Sequence, residues 1–246
     1  MTGSSPSLLR RGLKAILPVK LRLWLTTAQF YYRYGREYGH IRSRLEQAIV
    51  AKDGSPLPWY CYPAIEYLDG LDFSNSSVFE YGCGQSTLYW SQRARQVTSV
   101  EHDAGFYEHI KAKVPANATL LLVQDDADYI ATVGQADAPF DVIVIDGLSR
   151  TRSTCAARAV RHLAPGGLII LDNAERYPEA CRYLRDQNLI EVDMHGPVPM
   201  GTHTSTTSLF FSRQFAVRPR TERLPIYSRC AAVYRSQHDR YPADVD

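Results

Sequence analysis

From residue 77 onward the chain alternates between short, largely apolar runs and stretches with helical spacing. Residues 140–145, with Asp141 the one polar position, and residues 168–171 form the runs, and Val78 with Phe79, residues 97–100 and residues 118–123 read as further strands. Segments apolar at nearly every position belong to strands covered on both faces, as in a parallel sheet. Between them, residues 105–113, 129–133, 154–163 and 178–186 carry apolar side chains at helical intervals. Residues 189–194 and 206–211 are two further strands with no helix between them, and strands joined that way pair antiparallel. The pattern predicts an α/β fold: a three-layer, doubly wound, mostly parallel seven-stranded sheet with a terminal antiparallel hairpin.

The first fifty residues follow another pattern. Leu9, Leu13, Ile16 and Leu17 recur at helical spacing, while Arg10, Arg11 and Lys14 crowd the other side and Pro18 divides the run. Residues 30–49 continue as helix until Asp53-Gly54-Ser55-Pro56 breaks it. This divides the chain into a basic helical extension (1–54), the α/β domain (55–211) and a tail (212–246) with no legible motif. Residues 1–50 hold nine Lys and Arg against two acids, a net of +7 in a chain whose total is +2. The expected role of residues 8–25 is an accessory helix packed on the domain with a solvated basic face. The alternative is peripheral association with an anionic membrane. The charges and Pro18 leave neither a signal peptide nor a membrane span in that run.

The 246 residues, 45% of them hydrophobic, are enough for one α/β domain with its own core plus added elements. Five cysteines without C-x-x-C spacing read as free thiols of a reducing, cytoplasmic compartment, with the inner membrane surface as the peripheral alternative.

The chemistry concentrates at strand ends. After the first strand comes Glu80-Tyr81-Gly82-Cys83-Gly84. Gly82 and Gly84 let the backbone turn sharply and approach a ligand with no Cβ in the way. Ser86 and Thr87 open the next helix, whose free N–H groups point outward. The second strand ends on Glu101, at the distance where a carboxylate takes the hydroxyls of a ribose. A dinucleotide turn would want a third glycine where Thr87 stands, and Glu80 would repel a pyrophosphate.

This stretch resembles the class I S-adenosylmethionine (SAM)-dependent methyltransferases. Residues 140–146 (F-D-V-I-V-I-D) and 163–167 (L-A-P-G-G) are close to that family's later motifs. The resemblance covers residues 77–211 and implies SAM as cofactor. By it, Glu80 lies at the methionine end, Gly82, Gly84, Ser86 and Thr87 form the turn, Glu101 holds the ribose, and His102, Asp126 and Ala127 flank the adenine. Residues 57–68 with 79–103 further resemble bacterial methyltransferases that accompany sugar-polymer biosynthesis. The expected acceptor is therefore a small-molecule or glycan hydroxyl.

Asp146 and Asp172-Asn173 end the fourth and fifth strands on the same rim. They resemble the Mg²⁺ site of catechol-type O-methyltransferases, so a divalent metal on Asp146, Asp172 and Asn173 is a further expectation, the alternative being capping and substrate contact. Asp146, His195 and His203 are the candidates for handling the acceptor proton. Tyr60, within an aromatic stretch framed by Pro58 and Pro63, and Arg150 are candidates for holding the acceptor. Packing against the sheet and solvation are their plain alternatives. The sequence carries no nucleic-acid methylation motif, and no nucleic-acid partner is expected. Two rival functions stand beside methyl transfer: a catalytically silent SAM-binding scaffold and a nicotinamide-dependent oxidoreductase.

Overall fold

A computed structural model describes residues 17–221 and 226–232. The expectations for residues 8–16 lie outside the described residues. Seven strands form one sheet: β1 (Ser77–Tyr81), β2 (Gln96–Glu101), β3 (Ala118–Leu122), β4 (Phe140–Ile145), β5 (Leu163–Asp172), β6 (Ile190–Pro197) and β7 (Thr204–Phe211). Their order is β3-β2-β1-β4-β5-β7-β6. The first five are parallel, and β7 is antiparallel to both β5 and β6.

Alternation along the central strands builds the two outer layers, because successive side chains leave a strand on opposite faces. Val78, Val142, Val144, Leu168 and Ile170 point to one face. There they meet α3 (Tyr62–Asp69) and α4 (Gln85–Ser91), through Ile65, Leu68, Tyr89 and Trp90. Phe79, Tyr81, Ile143, Ile145, Ile169 and Leu171 point to the other. That face is covered by α6 (Asp126–Ala131), α7 (Arg152–Ala159) and α8 (Pro178–Asp186). The short α5 (Ala104–Lys111) follows β2. The Ala164-Pro165-Gly166-Gly167 turn lies within β5 as an irregularity: Phe140 pairs with Leu163 and Val142 with Leu168, so the intervening residues loop out. Gly166, at φ 81°, makes that excursion possible.

Ahead of the sheet stand α1 (Val19–Glu37) and α2 (His40–Glu46). Pro18 starts α1, where its missing N–H costs nothing. Tyr34 stacks on Tyr38 at 4.3 Å, and Tyr38 meets Tyr62 at 4.9 Å. The N-terminal segment thus shares the core of the domain, and the expected boundary after residue 54 is no physical break: Tyr38 and Ala51 belong to the same buried cluster as Leu57 and Ile65. The tail also returns to this corner. Asp72 N donates to Arg218 O, Arg229 pairs with Asp69, and Tyr38 Oη lies 3.1 Å from Ser228 Oγ.

The bend after α2 hangs on one hydroxyl. Ser43, fully buried, donates to Val50 O at 2.8 Å and accepts from Val50 N at 3.1 Å. Residues 47–49, held between these anchors, reach the large cavity at the strand ends. Ser43→Ala leaves two buried backbone groups unpaired, each costing about 1–3 kcal/mol. Urea unfolding is expected to show a loss in that range or above; an unchanged midpoint would mean the bend is held by something else.

Candidate active site

The carboxyl ends of β1, β2, β4 and β5 open onto one cavity of about 960 Å³. That is near the upper end for clefts that take small molecules. Its floor is the turn after β1. Gly82 N donates to Val100 O at 2.8 Å, with φ at 99°. A Cβ there would come within 3.0 Å of Gly147 Cα and 3.2 Å of Asp146 O. The turns after β1 and β4 therefore pass back to back, and Gly147 joins Gly82 as a residue the floor requires.

Glu80 lies beneath this turn, 1% exposed. Its Oε2 accepts from Thr87 Oγ1 at 2.5 Å and Ser99 Oγ at 2.8 Å; Thr87 Oγ1 in turn accepts from Gly84 N. Its Oε1 has no partner. Burial pushes this carboxyl up to about 7 against the pull of the surrounding hydroxyls, and the Asp146 charge adds to the rise. Glu80 and Thr87 thus stand behind the cavity wall, while Gly82, Gly84 and Ser86 form it.

Glu101 is buried and held by three backbone donors. Cys83 N gives to Oε2 at 3.0 Å; His102 N and Asp103 N both give to Oε1 at 2.9 Å. The carboxylate is fixed at the cavity edge before any ligand arrives. His102 Nδ1 lies 3.0 Å from Glu101 Oε1 but outside hydrogen-bonding alignment, and has no partner. Phe106, His109 and Ile110 of α5 continue the wall from His102, ending at Lys113. The sequence reading did not single these out, although their spacing gives one helix face. Cys83 also lines the cavity, and burial and the nearby acids raise its thiol well above its ordinary range.

Asp126 and Ala127 are placed differently from the expectation. Neither is on the cavity wall. The Asp126 carboxylate takes a two-pronged pair from Arg150, at 2.8 and 2.7 Å, on the exposed surface. This pair also draws Arg150 away from the acceptor role proposed for it. Tyr60 is wholly buried, its hydroxyl accepting from Trp90 Nε1 at 3.3 Å, so it packs the core and does not reach an acceptor. Trp59, its neighbour, is the residue of that stretch on the cavity wall.

At β4 and β5 a buried arginine replaces the expected cation. Arg152 Nη2 donates to Asp146 Oδ1 at 2.8 Å and Asp146 O at 3.1 Å. Its Nη1 gives to Asp172 O at 2.7 Å and Asn173 Oδ1 at 3.2 Å, and its Nε to Gly147 O at 3.0 Å. Asp172 Oδ1 accepts from Thr207 Oγ1 at 2.7 Å, and Asn173 Nδ2 donates to Ser205 Oγ at 3.0 Å. Each of the three proposed metal ligands is thereby engaged, and a guanidinium sits among them. Among the described residues no group of three or more His, Cys, Asp or Glu suits a metal. The set does not fit Mg²⁺, which would have to displace a cation it repels. Burial raises both carboxyls and Arg152 opposes the rise at both, while the Asp146 charge adds to it at Asp172.

The two histidines separate. β6 runs on to Pro197, so His195 is part of that edge strand and not of the loop after it; it is exposed, with Nδ1 2.8 Å from Thr206 Oγ1, and does not line the cavity. His203 does, beside Val198 and Met200. Arg176 also lines it, and Arg44 Nη1 donates to Met200 O at 3.3 Å, tying α2 to this loop.

Three comparisons with known proteins bear on this site. Residues 79–174 match the family model described as a methyltransferase domain. Ribosomal protein L11 methyltransferase from Shewanella halifaxensis (strain HAW-EB4) is 34% identical over 111 residues, 44% of this chain and 36% of that protein. The protein of the same name from Shewanella pealeana matches to the same extent, so the chain spans about a third of the length of these curated relatives. Among solved structures, cofactor-bound Rv0187 from MTB superposes with a TM-score of 0.51 at 19% identity, covering 71% of this chain and 90% of that one, a likeness of fold.

The buried Glu80 gives a pH signature. Its folded-state value of about 7 exceeds the ordinary 4.5, so the folded chain holds a proton that the unfolded chain releases. Stability must then fall as pH rises from about 4.5 to about 7, and level off above. The full contribution is on the order of 3 kcal/mol. Glu80→Gln is neutral throughout and is expected to flatten that part of the stability curve in urea unfolding across this window. Parallel curves for the two proteins would show that Glu80 is not the group responsible.

Proposed function

We infer from the match of residues 79–174 to a methyltransferase-domain model that this chain is a SAM-dependent methyltransferase that O-methylates a small-molecule or glycan hydroxyl. The observation that carries this reading is the single cavity joining the Gly82–Glu101 end to the Trp59, Val198, Met200 and His203 end. It has room for a donor at one end and an acceptor at the other. The chain's residues fit the donor: a backbone floor without Cβ atoms, a prepositioned carboxylate, and one buried carboxylate oxygen left without a partner.

When bound, SAM supplies an electrophilic methyl group carried on a sulfonium. Glu101, fixed by three N–H groups, would take the ribose hydroxyls; Phe106 and Ile110 offer an apolar wall for the adenine. Glu80, whose unpartnered oxygen lies under the turn, would accept a hydrogen bond at the amino-acid end, through Ser86 or directly. These groups hold the donor in line with the acceptor, and alignment is the main requirement of a displacement reaction.

The acceptor hydroxyl would give up its proton as it takes the methyl group. His203 is the base on the cavity wall, since an imidazole takes a proton near neutral pH. Asp146, oriented by Arg152, would accept a hydrogen bond from the acceptor. Arg176 replaces Arg150 as the cation available to an anionic group on the acceptor. Arg152 supplies the positive charge for which a metal was expected, so transfer needs no divalent ion.

Turnover with a labelled methyl donor over a panel of hydroxylated acceptors tests this. Activity should persist in excess chelator. Glu101→Ala should weaken SAM binding by about 1–3 kcal/mol in calorimetry. His203→Ala should leave binding intact and slow transfer, on the order of 10²-fold or more. Binding without turnover on any acceptor would favour the silent scaffold, and loss of activity in chelator would restore the metal.

A further inference from the structure

Most of α1 is exposed. Every residue from 19 to 33 is exposed except Arg22, which is half-buried. Trp24, Tyr31 and Tyr32 are 69%, 67% and 64% exposed, with Val19, Leu21, Leu23 and Phe30 also open. An isolated apolar side chain on a surface means little, but a contiguous set of this kind marks an interaction surface. Among the described residues the helix is anchored at its far end, through Tyr34, the buried Gly35 and Arg33, whose Nη2 donates to the carbonyls of Cys230 and Ala231.

The arrangement of the exposed residues is ordered. At 100° per residue, Arg22, Thr26, Gln29, Arg33 and Arg36 fall on one narrow stripe. Trp24 and Tyr31 lie opposite it, and Leu23, Phe30, Leu25 and Tyr32 fill the flanks. Lys20 is the one cation off the stripe, and its long stem can carry its charge outward. The first acid of the chain is Glu37; the residues before it include seven Lys and Arg.

We propose that α1 is a peripheral anchor that lies in the surface of an anionic lipid bilayer, with its aromatic face among the upper acyl chains and its arginine stripe at the headgroups. Aromatic side chains with one polar end settle at such interfaces, and basic residues draw the helix to negative lipids. A second copy does not answer this charge: the helix holds no acid before Glu37, and Lys20 of each copy would enter a seam formed by the aromatic faces. Among the described residues no helix is long and apolar enough to cross a membrane, so the helix lies on the bilayer and does not span it.

The proposal is independent of the methyl-transfer reading. Full-length protein is mixed with phosphatidylcholine vesicles, with and without phosphatidylglycerol, and floated on a density gradient. The expected result is at least tenfold more protein on the anionic vesicles, much of it released at ~1 M salt, where screening acts within about 3 Å. Leu23→Glu with Trp24→Glu, and separately Lys20→Glu with Arg22→Glu, should each cut vesicle binding at least tenfold. These residues are exposed or half-buried and none lines the cavity, so the variants are expected to keep the parent's thermal unfolding midpoint, which reports that they are folded. Equal binding to both vesicle types, no binding at low salt, or variants that float like the parent would overturn the proposal. So would a dimer in light scattering that the Leu23→Glu, Trp24→Glu variant abolishes.

Discussion

Three carboxyl groups leave the sheet at neighbouring strand ends, and the rest of the site is arranged around the cost of burying them. Glu80, Asp146 and Asp172 would repel one another if all were charged in so little water. The fold meets this in three ways. Arg152 neutralises Asp146 and, with its remaining donors, holds the backbone carbonyls of Asp146, Gly147 and Asp172. Burial and the Asp146 charge raise the Asp172 carboxyl, which accepts from the Thr207 hydroxyl, and Glu80 rests against two hydroxyls. A buried arginine with every donor used is costly to disturb, because removing it leaves an unpaired carboxylate behind. The same guanidinium therefore fixes the turns on which donor and acceptor would rest.

Much of the architecture was legible because it depends on local pattern. Largely apolar runs at 140–145 and 168–171 gave buried parallel strands, and the missing helix between the last two strands gave the antiparallel pair. The strand-end rule gathered Glu101, Asp146, Asp172 and Asn173 on one rim, where the structure has them. What failed depended on which way one side chain turns. Arg150 and Arg152 are two residues apart at a helix start; one turns out to Asp126, the other in to Asp146. No property of either residue alone separates them. Only the depth of the cleft between β4 and β5 does. The metal expectation failed for the same reason: three oxygen-bearing side chains were counted without the cation that already answers them.

The closing wall of the cavity was the least legible part. Residues 47–49, Trp59, and the loop with Val198, Met200 and His203 are distant in sequence and meet through single contacts, such as Arg44 to Met200 O and Cys61 Sγ to Met194 O. His195 was placed in that loop because Met194 looked like the end of a strand. The ladder continues instead, with His195 opposite Thr206 and Pro197 opposite Thr204. Three more residues of pairing leave His195 on the edge strand, while His203 lies on the cavity wall.

The central claim is that the turn over Glu80 and the carboxylate of Glu101 together receive the cofactor. Hydrogen exchange with and without S-adenosylhomocysteine, the demethylated product, reads this directly at the amides concerned. The account predicts slower exchange on ligand addition in residues 82–86 and 101–106, with residues 19–33 unchanged. Ligand binding that leaves residues 82–86 and 101–106 exchanging as before would contradict it.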